Sequence, residues 1–174
     1  MDNPELYSDI INKNNIKDKL NIPRKYNPSY LSKKDRTKQD KNLRKSRRLY
    51  KKGVFYSRPK VKTFKSRNSS HLKKAKEMYG VSEINSTKEL SKKTQCTRKS
   101  LEKIINKGRG AYFSSGSRPN QSAESWGIAR LASSLTGGNA AIVDYHILKS
   151  GCKSTSKARK LANKTCKKQN KKCI

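Results

Sequence analysis

Asp144 and His146 place a carboxylate and an imidazole two residues apart. That spacing puts both on one face of a strand but not of a helix. No serine or cysteine nucleophile has an obvious partner, so acid–base catalysis is not expected and His146 reads as a packed histidine. The run Gly108-Arg109-Gly110-Ala111-Tyr112-Phe113-Ser114-Ser115-Gly116-Ser117-Arg118-Pro119 is a Gly/Ser loop whose small residues let backbone amides approach a phosphate. Arg109 and Arg118 would clamp that phosphate. The run lacks both the Lys-Ser/Thr ending of a P-loop and the GxGxxG spacing, so a tight structural loop is the expectation. Gly110 and Gly116 would supply its unusual backbone angles, and Trp126 would cover it as a core anchor. Cys96, Cys152, Cys166 and Cys173 contain no CxxC pair and read as reduced thiols in an intracellular setting. With His146 their spacing matches no standard zinc site. No catalytic residue, metal, cofactor or small-molecule substrate is therefore expected.

The chemistry that remains is charge. The chain carries 44 Lys+Arg against 12 Asp+Glu, a net +32 over 174 residues. Residues 1–70 hold +15 of this, 71–110 hold +7, 111–150 only +1, and 151–174 hold +9. A compact body with this charge repels itself, and neutralising phosphates releases condensed counterions, so nucleic acid is the expected partner. An anionic membrane and an acidic protein lattice are the other polyanions to consider. No apolar stretch is long enough to span a membrane, and Met1-Asp2-Asn3-Pro4-Glu5 is not the start of a signal peptide, so the chain is expected not to be secreted.

The elements that must position these charges divide the chain in four. Residues 1–68 read as a long basic extended arm with short helices. A weak apolar periodicity runs through Leu6, Ile10, Ile11, Ile16, Leu20 and Ile22 until Pro23 and Pro28 break it. Ser32 caps a basic helix to about Lys52, stopped by Gly53. Aromatic residues interleaved with Lys and Arg then suit base stacking with phosphate contact, or pin the arm to a neighbouring surface. Arg47, Arg48, Lys51 and Lys52 are its candidate nucleic-acid contacts.

Residues 69–107 read as a three-helix, helix-turn-helix-like segment. Ser86-Thr87-Lys88-Glu89 is a capping box. Leu90, Cys96, Leu101 and Ile104 fall on the buried positions of a helix-turn-helix. Thr94 and Gln95 depart from it, where an apolar residue and Gly are usual. Thr97, Arg98, Lys99 and Lys103 would point from the second helix, ending at Gly108, toward a major groove. Residues 108–151 combine the near-neutral loop with a helix from Ala123 to about Thr136 and a last helix, Asn139 to Ser150, for which a strand over 141–148 is the alternative. Residues 152–174 read as a solvated basic tail with a thin stripe at Ala158, Leu161 and Cys166, offering Lys167 and Lys168 to phosphate. The fold class expected is mainly α, a small helical body between arm and tail.

The phrases Gly108-Arg109-Gly110-Ala111-Tyr112, Ser114-Ser115-Gly116-Ser117-Arg118-Pro119-Asn120-Gln121, Ser125-Trp126-Gly127, Ala129-Arg130-Leu131-Ala132-Ser133 and Val143-Asp144-Tyr145-His146 resemble an uncharacterised domain family of large DNA viruses of algae and protists and some phages. The resemblance covers about residues 45–152 and transfers no catalytic residue. It implies a viral source and a place in the virion.

The expected function is thus non-enzymatic binding of nucleic acid, double-stranded DNA above all, through the phosphate backbone. The alternative is a minor capsid or internal virion protein whose arm laces coat subunits. The expected location is the virion and the infected-cell cytoplasm or nucleus.

Overall fold

The computed structural model describes residues 21–67 and 69–169. Of the periodic apolar residues near the start, all but Ile22 lie outside that range. The described residues form eight helices and no strand, so the protein is mainly α.

Hydroxyl caps set where the helices begin. Ser32 accepts from the Asp35 amide at the head of α1 (Lys33–Tyr50). Asp35, Gln39, Leu43 and Ser46 form the buried stripe of α1 at helical spacing. α2 (Ser70–Tyr79) stops at Gly80, which takes the left-handed conformation (φ 60°) that glycine adopts without a β-carbon clash. α3 (Lys88–Thr94) is capped by Thr87, whose side chain accepts from the Leu90 amide. The expected cap, Ser86, is one residue early and donates to Glu102 instead. α4 (Arg98–Ser114) is capped by Thr97, and α5 (Ala123–Leu135) by a reciprocal box between Ser122 and Ser125.

α4 corrects the reading of the Gly/Ser run. It does not end at Gly108 but continues through Gly108 and Gly110 to Ser114. Gly108 is there for proximity, not for a turn: a β-carbon on it would lie 2.6 Å from the Cα of Gly127 on α5. Of the two glycines expected to hold unusual angles, only Gly116 does so (φ 89°).

The last expected helix is two, α6 (Asn139–Val143) and α7 (Tyr145–Gly151), divided at Asp144. The strand alternative over 141–148 does not form. The described part of the tail is not a solvated run. Residues 157–168 make α8 (Lys157–Lys168), which buries Ala158, Ala162 and Cys166 against α5, α6 and α7.

The core lies where α4 and α5 cross, with Leu101, Ile104, Ile105, Leu131 and Leu135 fully enclosed and α2, α3, α7 and α8 closing around them. Residues 21–67 lie on this body rather than extending from it. Leu31, Leu43 and Val61 are buried, α1 packs on α4, and Ser46 donates to the Phe113 carbonyl at 3.2 Å. Arg58 anchors the following segment with its guanidinium 3.7 Å from the Tyr112 ring. It also donates to the Tyr112 carbonyl (2.8 Å) and the Ser117 hydroxyl (2.6 Å). Trp126 is not a core residue: it is half-buried, with its ring edge-on to Tyr26 at 5.8 Å.

The cysteines also differ from the expectation. Cys96 and Cys152, both buried, form a disulfide, and no described cysteine is a free thiol. The backbone beside it is tied as well: Thr97 N–H donates to the Gly151 carbonyl (2.8 Å) and Lys153 N–H to the Gln95 carbonyl (2.9 Å).

Candidate nucleic-acid interface

Two short-range rules build the first candidate surface. A helix must end before a second can start at an angle to it, and the residue between them must relieve the backbone. α3 ends at Gln95, which takes the left-handed conformation (φ 57°) usually left to glycine. Thr94, in the usually apolar position, is buried but satisfies its hydroxyl on the Leu90 carbonyl at 2.7 Å. Ser91 donates to the Cys96 carbonyl (2.6 Å), which fastens the turn. Leu90, Cys96, Leu101 and Ile104 are all buried, as their spacing predicts. The three residues Gln95, Cys96 and Thr97 therefore connect two helices in the manner of a helix-turn-helix.

On the outside of this unit the candidate residues separate by role. Thr97 accepts the Ser100 amide on its hydroxyl. Arg98 is exposed and donates from Nε to the Ser86 carbonyl at 2.9 Å. Lys99 and Lys103 are exposed on α4, Lys92 and Lys93 on α3, and none of the four pairs with a described acid.

Arg109, a proposed phosphate clamp, is engaged by two acids of the protein itself. Its Nε meets Glu124 at 2.6 Å and its Nη1 meets Glu102 at 2.9 Å. The hydrogen bond that Arg109 donates to Glu124 leads in raising its pKa further. Asp144, buried completely, likewise has its partners inside the protein. It accepts from Arg130 (2.7 and 2.8 Å), Lys107 (3.0 Å) and Ser134 (3.0 Å). Burial pushes its carboxyl up, but the hydrogen bonds and charges of Arg130 and Lys107 outweigh this and hold it below the usual carboxylate range. His146, expected to be packed, is exposed on α7.

The remaining candidates lie elsewhere. Arg47 is half-buried and donates from Nη2 to the Ser115 carbonyl at 2.8 Å, so it holds α1 to the body. Arg48, Lys51 and Lys52 are exposed where α1 ends, beside Tyr50. The Tyr50 hydroxyl neighbours Gly110, eleven residues and so about 16 Å along α4 from Lys99. Lys167 and Lys168 are exposed at the end of α8, about 18 Å along that helix from Ser156 beside the turn.

Arg118 belongs to a second surface that no single stretch of sequence announces. A cleft of about 780 Å³ is lined by Arg24, Lys25, Tyr30, Phe64, Lys65, Arg67 and Arg118, with no acid in its lining among the described residues. Its walls are fixed by hydrogen bonds. Asn120 takes the Val61 amide (2.8 Å) on its carbonyl oxygen and gives its NH₂ to the Val61 carbonyl (3.0 Å). Thr63 gives both its amide and its hydroxyl to Asp35 at 2.7 Å. The interleaving of aromatic and basic residues in 54–67 is the signal that reaches this site. Its assembly from three separated segments is what local pattern cannot show.

These features describe a small, strongly basic helical protein with a helix-turn-helix-like corner and a basic aromatic cleft. Residues 23–149 match a family of unknown function, DUF5824, and the chain belongs to that family. No curated protein and no solved structure matches the chain. The matched span takes in residues 23–67, which pack on the body, and stops short of α8.

Proposed function

We propose that this chain is a non-enzymatic nucleic-acid-binding protein whose grip is dominated by the phosphate backbone, with double-stranded DNA as its main partner. The observation that carries the reading is the α3–α4 corner. Lys92, Lys93, Lys99 and Lys103 stand exposed there and pair with no acid among the described residues, while Glu102, Glu124 and Asp144 are paired with Arg109, Arg130 and Lys107. Unpaired cations in solvent are the groups that release counterions from a phosphate chain. The corner also has the connection that lets a second helix enter a groove.

The same reading includes a virus-encoded protein associated with the virion. Its support is the wording of residues 108–146 and the Cys96–Cys152 disulfide, since disulfides persist in oxidising settings such as a virion surface. The coat-lacing alternative draws on a free arm. Residues 21–67 lie on the body, so they lend it no support of their own.

The test is a pair of substitutions on the second helix. Lys99→Ala should weaken duplex binding on all sequences alike and lower the slope of log K against log salt by about 0.9. Arg98→Ala should change which sequences bind best if α4 reads a groove. If both variants bind every duplex as the unsubstituted protein does, the corner is not the interface.

A further inference from the structure

The geometry points to the basic aromatic cleft as a seat for one or a few unpaired nucleotides of a single strand, with a base against Tyr30 and Phe64 and phosphates on Arg24, Arg67 and Arg118. The inference rests on the nucleic-acid reading above and adds a second, different binding mode to it.

Three observations carry it. First, the cleft brings together Arg24, Lys25, Lys65, Arg67 and Arg118 without an acid in its lining, and none of the five makes an ion pair among the described residues. Five cations held close together repel one another, and a bound polyanion relieves that repulsion. Second, the cleft is not lined by charge alone. The Tyr30 and Phe64 rings are near-parallel, with centroids 6.3 Å apart, and Tyr30 is 64% exposed. An exposed aromatic face beside cations suits a ligand that is aromatic and anionic at once, which a nucleotide is and a bare phosphate is not. Third, the walls are set in advance. Asn120 holds Val61, Thr63 is bound to Asp35, and Arg118 leads into the turn that Asn120 forms at φ 58°. A site already in place loses little freedom on binding. A volume of about 780 Å³ is also within the range of pockets that enclose small ligands.

Duplex DNA cannot use the ring faces, because its bases are already stacked inside the helix. Single strands, frayed ends and gaps can. The cleft therefore discriminates by strandedness, whereas the α3–α4 corner takes the duplex.

The experiment uses the full chain and three labelled probes of equal length: a 12-nucleotide oligothymidylate, an abasic phosphodiester 12-mer, and a 12-base-pair duplex. Affinities are measured by fluorescence anisotropy for the unsubstituted protein, Tyr30→Ala and Phe64→Ala, with circular dichroism melting to verify the fold. Each ring removed should weaken oligothymidylate binding roughly fivefold to a hundredfold. Binding of the duplex and of the abasic oligomer should stay within twofold. Arg118→Ala should weaken oligothymidylate and abasic oligomer together. If the ring variants bind oligothymidylate as tightly as before, or lose all three probes equally, the cleft does not seat bases and the inference falls while duplex binding stands. If the unsubstituted protein binds none of the three, both readings fall. If Tyr30→Ala melts early, Tyr30→Leu with ultraviolet crosslinking of a 5-bromouracil strand to Phe64 decides the same question: a crosslink at Phe64 supports the seat and its absence overturns it.

Discussion

Gly108 on α4 and Gly127 on α5 meet backbone to backbone. A β-carbon on Gly108 would lie 2.6 Å from the Cα of Gly127, and one on Gly127 would lie 2.7 Å from the Ile105 carbonyl oxygen. Neither neighbour is a side chain that can swing away. This close approach sets the spacing of the two central helices and hence the position of every element on them.

Gly108→Ala should therefore destabilise the protein, although alanine favours a helix. The overlap costs about 1–3 kcal/mol or more, against about 1 kcal/mol gained in helix propensity. Gly110→Ala is the control, because its β-carbon would meet only the Tyr50 hydroxyl at 3.4 Å. Thermal melting should show a lower Tm for Gly108→Ala and an unchanged or higher one for Gly110→Ala.

The disulfide closes a loop across a sequence separation of 56. Constraining the unfolded chain over that length contributes about 4 kcal/mol in the chain-entropy account. Cys96→Ser with Cys152→Ser should lower the denaturant midpoint accordingly, and a reducing agent should do the same to the unsubstituted protein. It should also loosen the α3–α4 turn first, which hydrogen exchange at Thr97 and Lys153 would detect as lost protection.

Asp144 makes stability depend on acid. Its folded pKa lies below its unfolded value, near 3.9, so it contributes stability above about pH 4 that is lost as pH falls through the folded pKa. Asp144→Asn keeps the shape but removes the charge, and leaves Arg130 and Lys107 without their acid. It should cost about 3 kcal/mol near neutral pH, with the difference from the unsubstituted protein shrinking below pH 4. Urea midpoints measured from pH 3 to 7 check both the size and the sign.

Much of the helical layout was legible in the sequence, and the reasons for the misses are physical. Leu90, Cys96, Leu101 and Ile104 fall on the buried positions of two helices and the turn between them, and Ser32, Thr97 and Ser122 can cap, so local chemistry fixed those helices. Ser86 and Thr87 are both capping residue types; Thr87 takes the Leu90 amide while Ser86 donates to Glu102. Gly108 and Gly110 looked like loop residues because a glycine signals a turn and a close helix crossing in the same way. Cys96 and Cys152 meet through tertiary packing that spacing does not encode. The cleft is the strongest case: Arg24, Phe64 and Arg118 share it only because Asn120 and Asp35 dock residues 61–64.

The candidate charges sort by what already holds them. Arg109→Ala should leave duplex affinity within about twofold, since its guanidinium serves Glu102 and Glu124. Lys99→Ala combined with Lys103→Ala should lower the salt slope by about 1.8, at about 0.9 for each phosphate no longer neutralised. Filter binding or anisotropy at several salt concentrations separates the two.

The central claim is that exposed, unpaired cations on this helical body bind nucleic acid through its phosphates. The most direct measurement is the affinity of the full chain for a labelled DNA duplex from 50 to 300 mM salt. A straight fall of log K with log salt, with a slope of about −0.9 for each phosphate neutralised and several phosphates in all, is the result expected. An affinity that stays level across that range, or no binding at the lowest salt, would contradict the account.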